Sequence, residues 1–164
     1  MAIGSTAWRF RLHHMPDRPA ATPGTMLIEG RLRVIPFAFM VESVPDIVLI
    51  TDRIEPIQLS ELVSRFFVDM VKYVVDVERG IAAVGGELHA DAEQLLLEDG
   101  SRQEDLWGAN YYPGRGRDDC IEFTSLINIR PSQGNPSMEI EDEAIRDRVL
   151  ELTHRLIGQG EELP

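Results

Sequence analysis

Hydrophobic and polar positions alternate regularly only from about Asp46 onward, and that part of the chain predicts a folded domain. Ile47-Val-Leu-Ile50 is a short β-branched run and reads as a strand. Pro56 suits a first helical turn, and Leu59, Leu62, Val63, Phe66 and Phe67 follow at helical spacing until Asp69. Val71, Tyr73, Val75 and Val77 then alternate with Lys72, Val74, Asp76 and Glu78, a period of two that predicts a strand with one buried face. Arg79-Gly80 reads as a tight turn, and Ile81 to Val84 as the return strand, ended by Gly85-Gly86.

A second helix is expected from Asp91, as cap, with Gln94 in capping-box position. Leu95, Leu96 and Leu97 form its apolar side, and Gly100 closes it in the left-handed conformation. Leu106 to Tyr112 and Ile121 to Ile129 read as strands joined by the loop from Pro113 to Asp119. In the last helix Asp142-Glu143 places acid at the start and His154-Arg155 places cations at the end. Ile145, Val149, Leu152, Leu156 and Ile157 form its buried stripe, with Gly158 as the C-terminal glycine. The order β-α-β-β-α-β-β-α predicts an α+β, two-layer domain, a mainly antiparallel sheet with helices on one face.

The expected organisation is an N-terminal extension over 1–45, one domain over 46–158 and a flexible tail over 159–164. Pro16, Pro19, Pro23 and Gly24 give the first 25 residues the look of disorder. Met15, Met26 and Met40 each offer another start, so the early residues read as a tail or a mis-annotated extension. A signal peptide from Met26 is disfavoured, because Pro36 breaks its apolar run and Glu42-Ser43-Val44-Pro45 is no small-residue cleavage site.

Charge narrows the partners. The net charge is −12. Residues 1–45 hold five Arg against Asp17, Glu29 and Glu42, a balance of +2 that leaves −14 on the rest. Such an acidic body argues against nucleic acid and against an anionic membrane surface. The single cysteine, Cys120, forms no intramolecular disulfide, and its acidic neighbours do not activate it as a nucleophile; a reducing cytoplasm is the expected location.

Two words carry the candidate chemistry. In Gly85-Gly-Glu-Leu-His-Ala-Asp91, an extended backbone would set Glu87 and His89 on one face, with Asp91 next in line. Such a set suits general acid–base catalysis by His89 and Glu87, or a divalent metal held by Glu87, His89 and Asp91. The competing reading leaves His89 on a backbone carbonyl, Asp91 as helix cap and Glu87 in solvent. In Asn128-Ile-Arg-Pro-Ser-Gln-Gly-Asn135, Arg130 offers a planar fork for an anion, and Asn128, Ser132, Gln133 and Asn135 would complete the nest. The competing reading is a structural turn with Arg130 paired to Asp76 or Glu122. Trp107, Asn110 and Tyr112 would supply an aromatic wall and an amide.

These two words, with Val74-Val-Asp-Val-Glu78 and Asp105-Leu-Trp-Gly-Ala-Asn110, resemble a small family of bacterial and archaeal proteins known only as a domain of unknown function. The resemblance runs from about Ile47 to Ile157. It implies a prokaryotic, cytosolic, single-domain protein, and brings no activity, cofactor or catalytic residue with it.

Two functional expectations follow. The first is a pocket joining Glu87, His89 and Asp91 to Asn128, Arg130 and Asn135. It would bind an anionic small molecule, with a divalent metal as candidate cofactor and hydrolysis as candidate reaction. The second is a non-catalytic interaction module or homo-oligomer working through a sheet face or edge. Whether the protein is an enzyme is left open by the sequence.

Overall fold

In a computed structural model of the chain, the described residues are Thr25–Ile28, Arg31–Val34 and 45–164. The chain divides into two units, 1–42 and 43–164. In the first, β1 (Thr25–Ile28) and β2 (Arg31–Val34) pair antiparallel from Thr25 opposite Val34 to Ile28 opposite Arg31. Residues 32–41 read from the sequence as an alternative edge strand, and β2 overlaps its start; β1 is not among the expected elements. The disorder expected over the first 25 residues falls, but for Thr25, outside the described residues.

The second unit follows the predicted order. It runs β3 (Ile47–Ile50), α1 (Pro56–Phe66), β4 (Val71–Asp76), β5 (Ile81–Gly85), α2 (His89–Glu98), β6 (Leu106–Tyr111), β7 (Ile121–Glu122) and α3 (Glu143–Leu156). The five strands form one antiparallel sheet in the order β3-β5-β4-β6-β7, so the fold is α+β.

Both faces of that sheet are buried. Tyr73, Val75, Ala82, Val84 and Ala109 face α1 and α3 through Leu59, Leu62, Val149, Leu152 and Leu156. Val74, Ala83 and Leu106 face the other way and meet Ala92 and Leu96 of α2. The shared helical face expected from the pattern therefore holds for α1 and α3, while α2 covers the reverse. β4 is central, and it carries valine on both sides because both sides are covered. Asp76, fully buried at the end of β4, accepts from the Glu78 and Arg79 amides at 3.0 and 2.8 Å. It holds the turn to β5, where Gly80 adopts φ +69°, and does not meet Arg130.

Three local expectations are corrected. First, α2 begins at His89, with Leu88 as a cap that offers no side-chain acceptor. Gly85 and Gly86, at φ +112° and +83°, turn the chain so early that Asp91 falls inside the first turn, where its charge suits the helix dipole. Gln94 then bonds Glu98 one turn on, at 2.8 Å, instead of closing a capping box.

Second, the strand expected over 121–129 stops at Glu122. Beyond it the chain makes one bridge, Thr124 to Glu139, and enters a 3-10 turn over Leu126–Asn128, with the Ser125 hydroxyl accepting from the Ile127 amide. Asn128 and Arg130 thus do not share a strand face.

Third, Gly158 is not a left-handed cap, for it is absent from the positive-φ glycines. Its lack of a side chain admits the Tyr111 hydroxyl, which would lie 2.4 Å from a Cβ there. The Asp142 cap of α3 is as expected, accepting from the Ala144 and Ile145 amides at 2.9 and 3.1 Å. In the final segment the Gly160 amide donates to Tyr111 Oη at 2.9 Å, and Glu161 pairs with Arg53 at 2.8 Å.

Candidate functional site

His89 opens α2 against the β4–β6 sheet face. It is 8% exposed, and its Nε2 lies 3.0 Å from the Ala109 carbonyl oxygen. A carbonyl only accepts, so Nε2 carries the ring hydrogen and Nδ1 holds the lone pair. Burial pushes the imidazole pKa down to about 4, with Lys72 adding to the effect and the Ala109 carbonyl opposing it. Neutral His89 on a carbonyl is thus the structural alternative stated above.

Its expected partners are elsewhere. Glu87 and Asp91 are exposed. No group of three His, Cys, Asp or Glu side chains able to hold a metal ion occurs among the described residues. Glu87, His89 and Asp91 therefore do not make a ligand set, because the early helix start rotates Asp91 away from the extended geometry the motif needed.

What does gather at His89 comes from other elements. A cavity of about 340 Å³ is lined by Lys72 of β4, His89 of α2, Asn110 of β6, Ser125, and the apolar Leu88, Leu126, Ile127 and Met138. Lys72 and Asn110 stand directly opposite one another in the β4–β6 register. None of the ion pairs among the described residues involves Lys72. Its ammonium lies 5.2 Å from the centre of the Phe67 ring. Leu88, Leu126 and Met138 are 59%, 73% and 44% exposed, so apolar side chains rim the cavity mouth.

The second word serves the fold. Asn128 is fully buried; its Oδ1 accepts from the Gly108 amide, and its Nδ2 donates to the Gly108 and Met138 carbonyls at 2.9 and 3.0 Å. Asn135 donates to the carbonyls of Asn128, Ser137 and Glu139 and accepts from the Glu141 amide. Arg130 spends its fork on protein: Nε on the Ile127 carbonyl at 2.9 Å, Nη1 on the Gln103 carbonyl at 2.5 Å, Nη2 on Glu93 at 3.4 Å. Its ion partner is Glu93 of α2, not Asp76 or Glu122. Ser132 and Gln133 are exposed and line a separate cavity of about 480 Å³ beside Arg130 and Glu93. The single pocket expected from the two words is therefore two cavities with Leu126 and Ile127 in the walls of both.

A model of the family described as "Protein of unknown function (DUF5674)" matches residues 48–156. The chain belongs to this family. The match covers the sheet, its three helices and both cavities, and leaves β1 and β2 outside. Neither the curated proteins nor the solved structures yield a significant match. Among the described residues of this DUF5674 chain, no helix is long and apolar enough to cross a membrane.

Lys72 is the cavity-lining residue that sequence reasoning passed over. A lysine on the strand face that also carries Val74 and Asp76 was the available signal, but His89, which lines the same cavity, arrives from a helix after the next strand. Chemically the cavity offers a lysine that makes no ion pair among the described residues, a neutral imidazole, an amide and apolar walls. An imidazole whose pKa is pushed down to about 4 is a weak proton acceptor at neutral pH.

Proposed function

We propose that this protein binds a small anionic molecule with an apolar body, in the His89 cavity, with Lys72 as the partner of the anion. The observation that carries the reading is a lysine with no ion pair among the described residues, in an apolar-rimmed cavity of a chain with net charge −12. A lone carboxylate matches this donor set: one ammonium supplies the charge, and Leu88, Leu126, Ile127 and Met138 take the apolar body. Arg130, the anion holder expected from sequence, is already saturated by carbonyls and Glu93. A metal-assisted or hydrolytic role draws no support from the donors at His89, so the reading is of a binding protein. The buried lone cysteine fits a reducing, cytoplasmic setting.

Isothermal titration with 4-methylpentanoate tests the reading. Binding that is lost in Lys72→Ala and kept in Lys72→Arg supports it. Equal binding by Arg130→Ala and the parent chain locates the anion away from the second word; equal binding by Lys72→Ala and the parent chain contradicts the reading.

The exposed Leu88, Leu126, Ile129 and Met138 also favour a second reading, a non-catalytic module that docks a partner or a second copy of the chain. A strictly monomeric chain by light scattering, with the acid bound, decides for the small molecule.

A further inference from the structure

The Asn110 amide is fixed in one orientation. Its Nδ2 donates to Glu122 Oε2 at 2.8 Å, and the same oxygen accepts from the Tyr112 hydroxyl at 3.0 Å. Turning the amide over would set Oδ1 against a carboxylate, two acceptors face to face. Oδ1 therefore stays on the side away from Glu122. Asn110 is 7% exposed, and its Oδ1 is buried without a donor among the described residues.

None of the described residues donates to it by geometry. Asn110 is near enough to His89 to oppose the fall in its pKa as a hydrogen-bond partner of the charged ring, but the one ring hydrogen of neutral His89 is directed at Ala109. A buried acceptor left unpaired is destabilising, and a native one calls for an explanation. Lys72, meanwhile, is directly opposite Asn110 on the same sheet face. Cross-strand neighbours have Cβ atoms about 5 Å apart, so the two residues address adjacent groups of one small molecule.

We infer that Asn110 is the specificity-determining residue of the cavity, and that its ligand is an apolar carboxylate bearing a hydrogen-bond donor on the adjacent carbon, the chemistry of an apolar 2-hydroxy acid. Lys72 takes the carboxylate, Asn110 Oδ1 accepts from the hydroxyl, and the apolar rim covers the chain. This rests on the assignment of the His89 cavity to an anion.

The test compares 4-methylpentanoate with 2-hydroxy-4-methylpentanoate by isothermal titration on the intact chain. The hydroxy acid should bind about tenfold tighter, the effect of one added hydrogen bond to a buried acceptor. That advantage should vanish in Asn110→Ala and shrink in Glu122→Gln, which frees the amide to turn over. If Asn110→Ala fails to fold by thermal unfolding, Glu122→Gln carries the test. Equal affinities for the two acids, with both lost in Lys72→Ala, overturn the role of Asn110 and leave the cavity assignment standing. A preference that survives both variants also overturns it. Binding of neither acid overturns the cavity assignment and this inference together.

Discussion

The side chain of Asn128 pairs with the backbone of Gly108 in both directions, Oδ1 accepting from its amide and Nδ2 donating to its carbonyl, each at 2.9 Å. The amide plays the part of a neighbouring strand at the stretch of β6 that the two-residue β7 does not reach. Gly108 is needed for the approach, since a Cβ there would sit 2.7 Å from Ser125 Oγ.

Asn128→Ala should therefore cost about 3 kcal/mol, at roughly 1 kcal/mol for each of three lost bonds. Asn128→Asp should be worse, because a carboxylate cannot donate to Gly108 or Met138. Ser132→Ala and Gln133→Ala, exposed in the same word, should stay within about 0.5 kcal/mol. Urea unfolding of the four variants checks the ranking, and a silent Asn128→Ala would contradict it.

Two aspartates near helix starts separate structure from appearance. Asp142 caps α3 through two amides, whereas Asp91 caps nothing. Asp142→Ala should cost about 1 kcal/mol. Asp91→Ala should cost only a few tenths, roughly the exposed dipole contribution. Equal losses in thermal melts would restore the cap that the sequence suggested at Asp91.

These cases mark what the sequence makes legible. The helical stripes, the period-two strand before Arg79 and the Asp142 cap depend on neighbours in the chain, so the pattern carries them. Asn128 depends on Gly108, twenty positions away and in another element. The same holds for the cavity: Lys72, His89 and Asn110 meet only once β4 and β6 are in register and α2 lies on the reverse face. The Gly85–Asp91 word did point to His89, and the competing reading of its hydrogen bond is the one observed. The Asn128–Asn135 word looked like an anion nest because buried structural amides and ligand-binding amides use the same residue types.

His89 gives a pH dependence with a definite sign. Its folded pKa of about 4 lies below the ordinary 6.5, so the unfolded chain binds the proton more readily. The contribution is fully present above pH 6.5 and is lost as the pH falls toward 4, up to about 3 kcal/mol. Glu161 adds a loss in a lower window, since hydrogen bonds from backbone amides and Arg53 hold its carboxyl near 2. His89→Gln should flatten the upper window and leave the lower one. Urea midpoints from pH 7 to 2 check this; a parent chain with no slope between 6.5 and 4 would refute it.

The most direct test of the account is a backbone-amide NMR titration of the intact chain with 2-hydroxy-4-methylpentanoate. The account predicts shifts concentrated at Lys72, His89, Asn110 and Ser125, and their disappearance in Lys72→Ala. Shifts concentrated instead at Arg130, Ser132 and Gln133, unchanged by Lys72→Ala, would contradict it.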